Sequence, residues 1–323
     1  MSRSTVFARR ALLASLLAAP LVALAADPYP TRPIRLIVPY AAGGTTDQLA
    51  RVLQEPLQQS LGQTIVIENK AGAGGSIGTQ EAVRAAPDGY TLVFGNNGPN
   101  ALLGLMRSIP YDPQKDLRGV SLVALTPMFL TVPGDSPVKT LKDFLPYAKS
   151  AGDKLNIGSV GQGSFSHVAA ESFKQRLGLS TTHIPYNGGA PLMTAFAGGQ
   201  IQVAFVTGLD GATLERSGKV RYLAVAAPNP TPAAPGLPTV AEIAPGFTAV
   251  SWFGVFAPAG TPDAIVSKLN AAIVAAVARP EVQKFFIDRN VEGRSSTPQG
   301  LEKMVVDDMA EWGPVIKKAK IQL

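Results

Sequence analysis

Residues 34–53 read IRLIVPYAAGGTTDQLARVL, and they connect an apolar run to the start of a helix through a glycine loop. The run at residues 34–38 predicts a buried strand, which Pro39 ends. Gly43 and Gly44 permit backbone angles that a Cβ would forbid, so they suit a tight turn after the strand. The pattern therefore predicts a strand, a glycine loop and a helix in succession.

The helix is predicted to begin directly after the two glycines. Thr45 or Thr46 can cap it, and Asp47 places a carboxylate in its first turn, where the helix dipole favours negative charge. The free N–H groups at a helix start bind anions, and open α/β sheets bind ligands at the carboxyl ends of their strands. This stretch therefore predicts an anion-binding site above the loop.

Two further strand-and-loop units follow in the first block of the chain. Residues 64–68 and 90–94 predict strands, and a glycine-rich segment at residues 71–78 lies between them. A polar loop at residues 95–100 follows the third strand, and its Asn96 is a candidate for the rim of a cleft.

The alternation of strands and helices repeats in a second block. Strands are predicted at residues 155–159, 181–186, 201–206 and 220–226, and the last two are separated by an excursion marked by Gly and Ser. A helix is predicted at residues 165–177. The second block therefore resembles the first in organisation.

Two apolar segments can pass between the blocks, one at residues 120–132 with Pro127 in it and one at residues 252–257. The βαβ alternation in two blocks predicts an α/β protein with two parallel-sheet lobes joined by two hinge crossings. The predicted divisions are a signal peptide at residues 1–25, a first lobe at residues 26–126 and 249–323, and a second lobe at residues 127–248.

The first residues of the chain have the pattern of a secretory signal peptide. Three arginines precede an apolar run at residues 11–24, which ends in the small-residue site Ala-Leu-Ala at residues 23–25. We therefore expect an exported chain that begins near Ala26. The Arg9-Arg10 pair leaves twin-arginine export open beside the favoured general secretory route.

Charge and composition exclude several classes of function. The formal net charge is +6, of which three charges belong to the predicted signal peptide, and no Lys/Arg run with interleaved aromatics suggests nucleic-acid binding. The chain has no cysteine, which excludes disulfides, thiolate metal sites, a cysteine nucleophile and lipid attachment at a cysteine. Its two histidines are distant in sequence, and no cluster of carboxylates accompanies them, so no metal site and no cofactor is predicted.

Several segments, in their order along the chain, resemble the Bug or TctC-like family of periplasmic substrate-binding receptors of tripartite tricarboxylate transport systems. The resemblance covers the chain from about Tyr29 to Leu323. The segments that carry it are PYAAGGTTDQLAR (39–51), ENKAGAGGSIG (68–78) with PDGYTL (87–92), GSVGQGSFSHVAAESF (158–173), HIPYNGGAPLMTAFAGGQI (183–201) and FAPAGTP (256–262).

The resemblance implies the type II periplasmic binding protein fold, with a small organic carboxylate clamped between the lobes. It also implies a periplasmic location, a monomer without enzymatic activity, and delivery of the ligand to a membrane transporter of the tripartite type. Backbone amides and hydroxyls of two loops would hold the acid. The predicted ligand-binding residues are Tyr40, Ala42, Gly43, Gly44, Thr45, Thr46, Asp47, Asn96, Ser159, Ser164, His167, Tyr186, Asn187, Gly188, Gly189 and Ala190.

The roles of two residues and two alternative functions remain open at this point. Asp47 caps the helix or contacts a ligand ammonium group, and His167 is structural or touches the ligand. Residues 74–78, GGSIG, match the nucleophile elbow of a serine hydrolase with Ser76 as nucleophile, although a polar loop separates this serine from the preceding strand. A ligand sensor without a transport role is the second alternative function.

Overall fold

The computed structural model describes residues 29–230 and 234–321, and the predicted signal peptide lies outside them. Within these residues, no helix combines the length and the apolar character needed to cross a membrane. The strands and helices, in chain order, are β1 (Ile34–Val38), α1 (Thr45–Leu61), β2 (Ile65–Asn69), α2 (Ser76–Val83), β3 (Thr91–Asn96), α3 (Leu103–Met106), β4 (Leu117–Pro133), α4 (Leu141–Ala151), β5 (Asn156–Ser159), α5 (Phe165–Leu177), β6 (Thr182–Pro185), α6 (Gly189–Ala197), β7 (Val203–Thr207), α7 (Gly208–Arg216), β8 (Val220–Val225), β9 (Val250–Pro258), α8 (Asp263–Val277), α9 (Pro280–Ile287), β10 (Glu292–Gly293) and α10 (Pro298–Lys318).

The strands follow the order β2-β1-β3-β9-β4-β7-β5-β6, and β8 and β10 each pair with β4. In the first lobe β1 runs parallel to β2 and β3, and in the second lobe β5 runs parallel to β6 and β7. These pairings confirm the predicted α/β fold with parallel strands in each lobe. The strands that connect the lobes, β4 and β9, run antiparallel to their neighbours.

The strand β4 belongs to both lobes. Its first part pairs with β9 from Leu117 to Pro127, and its next residues pair with β7 from Met128 to Thr131. The change of partner therefore falls between Pro127 and Met128. The lobe boundaries at residues 126/127 and 248/249 stay a prediction, and this change of partner is where a bend between the lobes is expected.

The helix α10 spans the two lobes at the C-terminal end of the chain. Its Trp312 packs edge-on against Phe165 at the start of α5, with ring centroids 5.1 Å apart. Its Asp308 carboxylate accepts hydrogen bonds from the Trp252 indole nitrogen at 2.7 Å and from Asn97 Nδ2 at 2.6 Å. A buried aromatic pair contributes about 0.5–1.5 kcal/mol beyond its buried area. The last helix therefore stabilises the arrangement of both lobes and of the crossing strand β9.

The segment between β7 and β8 contains a helix that the sequence does not predict. The sequence predicts only an excursion marked by Gly and Ser there, and the structure contains the helix α7. Thr207 caps this helix, because its hydroxyl accepts a hydrogen bond from the Asp210 N–H at 3.2 Å. The glycines at 208 and 211 have low helix propensity, which hid the helix from a pattern based on periodicity.

Candidate functional site

The candidate site lies between the lobes, where two glycine loops touch. The Ala41 N–H donates to the Asn187 carbonyl oxygen at 3.2 Å. A Cβ on Gly188 would lie 3.2 Å from the same Ala41 nitrogen, and a Cβ on Gly44 would lie 3.1 Å from the Gly189 nitrogen. Contacts this close favour glycine on both sides. The two predicted glycine loops are therefore brought together in a closed arrangement of the lobes.

The glycine-rich segment after β2 makes a second contact between the lobes. Gly74 has a left-handed φ of +63°, and a Cβ on it would overlap the Gln162 carbonyl oxygen of the second lobe. Both the backbone angle and the close approach require glycine at this position. This segment therefore helps the lobes to close.

A cavity of about 40 Å³ lies between these loops. At roughly 10–15 Å³ for each enclosed water, it has room for on the order of three waters. Both lobes and the crossing strands line it. The lining residues are Tyr40, Gly44, Thr45, Thr46, Asn96, Met128, Val160, Phe165, Ser166, Gly189, Phe205, Val206, Thr207, Asp210, Ser251 and Phe253.

Four helices begin at this cavity. The first turns of α1, α5, α6 and α7 contribute Thr45, Phe165, Gly189 and Asp210 to its lining. Each helix start carries about half a positive charge on its free N–H groups. Among the described residues that line the cavity, none is Lys, Arg or His. Among these lining residues, positive charge is therefore offered by backbone dipoles, and helix starts of this kind bind anions in other proteins.

The carboxyl group of Asp210 already lies among these helix starts. Asp210 Oδ1 accepts a hydrogen bond from the Thr45 N–H of the first lobe at 2.8 Å, and its Oδ2 accepts one from the Thr207 hydroxyl at 3.1 Å. The Thr207 and Thr45 hydroxyls are themselves in contact. Burial raises the pKa of the Asp210 carboxyl above its usual range, although these hydrogen bonds oppose the rise. Asp210 therefore links the second lobe to the N-terminus of α1.

Tyr40 and Asn96 form a polar wall on the first lobe. The buried Tyr40 hydroxyl donates to Asn96 Oδ1 at 3.3 Å, and the Gly98 N–H donates to the same oxygen at 3.0 Å. Burial raises the pKa of Tyr40 far above its usual range, so the phenol keeps its proton at neutral pH. Both of these hydrogen bonds go to the side-chain oxygen of Asn96. Its side-chain NH₂ group has no partner among the described residues and can therefore donate to a ligand.

Asp47 holds the first glycine loop. Its carboxylate accepts hydrogen bonds from the Gly43 N–H at 2.9 Å, from Asn69 Nδ2 at 2.9 Å and from Arg51 Nε at 2.8 Å. Asp47 does not line the cavity. These three donors account for its position without a ligand ammonium group.

The two histidines lie together behind the third glycine loop. The rings of His167 and His183 stack with centroids 3.9 Å apart. His167 Nδ1 accepts from the Gly163 N–H at 3.1 Å, and His183 Nε2 lies 2.7 Å from the Ser159 hydroxyl. Burial lowers the pKa of His167 to about 4 and that of His183 to about 3. Both rings are therefore neutral at pH 7 and shape the loop that carries Ser159.

Ser76 does not form the arrangement of a catalytic serine. Its hydroxyl donates to the Ala73 carbonyl oxygen at 3.0 Å and accepts from Arg107 Nη2 at 3.1 Å. It is the first residue of α2 and follows a short 3-10 turn instead of a strand. Both histidines are engaged elsewhere, so within the described chain no base is bonded to this serine. The geometry gives no support to the hydrolase alternative.

Six of the predicted ligand-binding residues line the cavity, namely Tyr40, Gly44, Thr45, Thr46, Asn96 and Gly189. Ala42 and Gly43 are exposed, and Gly188 contacts Ala41 across the cleft. Those that lie beside the cavity without lining it are Ala42, Gly43, Asp47, Ser159, Ser164, His167, Tyr186, Asn187, Gly188 and Ala190. The roles of all these residues in ligand binding stay predictions.

Sequence reasoning missed Thr207 and Asp210, which line the cavity from α7. The signal was available, because a Thr followed three residues later by an acidic residue, directly after a strand, is the pattern of a helix start. Phe205 and Phe253, which also line the cavity, were missed as well. Both lie on strands whose composition indicates only a buried core.

Solved structures resemble this chain over most of its length. Periplasmic binding protein BugD is 34% identical, with 91% of this chain and 99% of that chain covered and a TM-score of 0.87. Rpa4515 of R. palustris with adipate is 34% identical, with coverage of 91% and 99% and a TM-score of 0.87. MatC (Rpa3494) from Rhodopseudomonas palustris with bound malate is 34% identical, with coverage of 89% and 100% and a TM-score of 0.85.

These similarities confirm the predicted periplasmic-binding-protein fold and the resemblance drawn from the sequence motifs. The family model described as the tripartite tricarboxylate transporter family receptor, TctC, matches residues 49–321. Proteins of this family are solute-binding receptors. The chain belongs to the TctC family of tripartite tricarboxylate transporter receptors.

Proposed function

We propose that this chain is a periplasmic receptor that captures a small organic carboxylate between its two lobes and delivers it to a membrane transporter of the tripartite type. The observation that carries the proposal is the meeting of four helix N-termini at one interlobe cavity. Relatives of known structure hold adipate and malate, which supports a carboxylate as the ligand class.

Neutral donors suffice to hold such a ligand. The cavity offers amide groups at the helix starts, the Ser166 and Thr46 hydroxyls, and the Asn96 side chain. A hydrogen bond to a charged group contributes about 1.5–3 kcal/mol, and several together give useful affinity without a buried cation. Helix dipoles that converge on the same point add to this attraction.

Ligand capture is proposed to proceed through opening and closure of the lobes. The cavity of about 40 Å³ has room for on the order of three waters, so a larger acid needs the lobes to separate. Once inside, the acid contacts helix starts from both lobes, which neither lobe offers alone. Binding therefore favours the closed form over the open one.

The cavity is built for binding and not for covalent chemistry. The serine of the GGSIG segment lacks a base, and the two histidines are neutral and engaged with the backbone and Ser159. A receptor without enzymatic activity is therefore part of the proposal. Membership of the receptor family supports a periplasmic location and delivery to a transporter, which is the proposed partner.

Calorimetric titration of the mature protein with a panel of small carboxylic acids tests the ligand class. The matching carboxamides are the control, because they keep the size of each acid and remove its charge. We expect at least one acid to bind and its amide not to bind. If no acid binds, or if amides bind equally well, the carboxylate proposal fails.

Uptake of the bound acid by a deletion strain tests the transport role. We expect uptake to fall and to return on complementation with the intact gene. If uptake is unchanged while a transcriptional response to the acid is lost, the receptor is a sensor instead of a transport component.

A further inference from the structure

Asp210 is the feature of the cavity that the proposed function does not use. Its side chain is half-buried, and its carboxyl lies directly against Gly189, where a Cβ would overlap its oxygens. Both oxygens accept hydrogen bonds, Oδ1 from the Thr45 N–H and Oδ2 from the Thr207 hydroxyl. The donors at the start of α1 are those that a ligand carboxylate would otherwise use.

Asp210 therefore fills one anion position of the site with an acid of the protein. A second carboxylate placed next to Asp210 would meet two oxygens that already accept hydrogen bonds, and the described lining residues include no Lys, Arg or His to compensate its charge. A buried carboxylate left without hydrogen-bond donors loses enough free energy to lower affinity by more than tenfold.

The rest of the cavity suits a ligand with one charged end. The start of α5, at Phe165, remains available for a single carboxylate, because Asp210 lies against the start of α6 at Gly189. Much of the remaining wall is apolar. This wall consists of Met128, Val160, Phe165, Phe205, Val206 and Phe253.

We infer that the receptor selects monocarboxylates with an apolar body, and that Asp210 is the residue that disfavours a second carboxylate. This inference rests on the proposed function, because it narrows the ligand class of the same cavity. The single carboxylate lies at the start of α5, and the apolar body contacts the wall of Met128, Val160 and the phenylalanines. The second carboxylate of a diacid would meet either this wall or the Asp210 carboxyl, whose two oxygens already accept hydrogen bonds.

Titration of the wild-type protein with acids of matched length tests the inference. Butyrate is compared with succinate, hexanoate with adipate, and benzoate with terephthalate. We expect the tightest monocarboxylate to bind at least tenfold more strongly than its matched diacid. A diacid that binds as tightly as its partner, or more tightly, overturns the inference and leaves the carboxylate receptor intact.

The variant Asp210→Asn tests the role of the residue itself. The asparagine keeps an oxygen for the Thr45 N–H and removes the charge. We expect the affinity for diacids to rise at least tenfold, while the affinity for monocarboxylates changes less. Glu215→Gln is the matched control, because Glu215 is an exposed acid on the same helix α7 and its loss removes the same charge.

The outcomes distinguish a failure of the proposed carboxylate receptor from a failure of the selectivity assigned to Asp210. If no acid of either class binds the wild type, the proposed function itself fails. If monocarboxylates are preferred but Asp210→Asn does not change the ratio, the assignment to Asp210 is wrong. A thermal melt of each variant verifies its fold, and the wild-type comparison tests the ligand class even if Asp210→Asn does not fold.

Discussion

The imidazole rings of His167 and His183 stack face to face, with centroids 3.9 Å apart and planes inclined by 15°. His183 comes from β6 and His167 from α5, so the stack joins a strand to a helix start beside the cleft. Burial lowers both pKa values, to about 4 for His167 and to about 3 for His183. The folded protein therefore resists protonation of this pair.

Acid should destabilise the protein through this stack. In the unfolded chain a histidine protonates near pH 6.5, whereas the folded pair stays neutral until about pH 4. The unfolded state thus binds more protons in this window, and the free energy of unfolding falls as the pH falls from about 6.5 to 4. His167 alone accounts for a loss on the order of 3 kcal/mol.

This pH dependence is checked by denaturant unfolding of the wild type and of a double variant that carries His167→Asn and His183→Gln. The free energy of unfolding is measured at each pH. The variant should lose less stability between pH 7 and about 4. Asp308, whose pKa burial raises to about 6, changes stability in the opposite direction and is present in both proteins. An equal loss in both proteins would show that the histidines are not the cause.

Gly188→Val should abolish ligand binding and leave the fold intact. Gly188 has a φ of +129°, and a Cβ there would lie 3.2 Å from the Ala41 nitrogen of the other lobe. The added side chain therefore prevents close approach of the two glycine loops. Gly199→Val at the other end of α6 is the control, because its φ is +69° and nothing lies within 4 Å of its Cβ position.

Small-angle scattering with and without a bound acid measures closure in this pair of variants. The wild type and Gly199→Val should compact on ligand addition, and Gly188→Val should not. Compaction of Gly188→Val equal to that of the wild type would rule out the two-loop clamp.

A disulfide between positions 41 and 187 should lock the lobes together. The Ala41 N–H donates to the Asn187 carbonyl oxygen at 3.2 Å, so the two backbones come close together across the cleft, as a disulfide requires. The chain has no other cysteine that could mispair. The oxidised double variant Ala41→Cys and Asn187→Cys should bind no acid, and the reduced form should bind normally, as measured by calorimetry. Normal binding by the oxidised protein would mean that ligands enter without opening of the lobes.

Asp47→Ala should reduce both stability and affinity. The substitution leaves Gly43 N–H, Asn69 and Arg51 without their acceptor, and lost hydrogen bonds of this kind cost about 2–4 kcal/mol together. The first glycine loop then loses its fixed shape, so affinity falls as well. Denaturant unfolding and calorimetry measure the two effects. Asp307→Ala, at an exposed acid on α10, serves as the control.

The sequence predicts the parts of the site that depend on local patterns. The loop at residues 40–47 is recognisable because a strand, two glycines and a helix cap follow one another within a short stretch. The hydrogen bond from Thr45 to Asp210 is different, since it joins residues 165 positions apart and forms only when the lobes close. The spacing of apolar residues along the sequence does not predict such a contact. The stack of His167 and His183 escaped for the same reason, because it depends on how β6 lies beside α5.

The two crossings between the lobes, β4 and β9, are bonded to each other from Leu117↔Pro258 to Pro127↔Val250. They form an ordered ribbon instead of two separate flexible linkers. Because this backbone is already fixed by folding, little conformational entropy remains to be lost when the lobes come together. Discrimination between acids therefore depends almost entirely on the chemistry of the cavity, and hardly at all on the linkers.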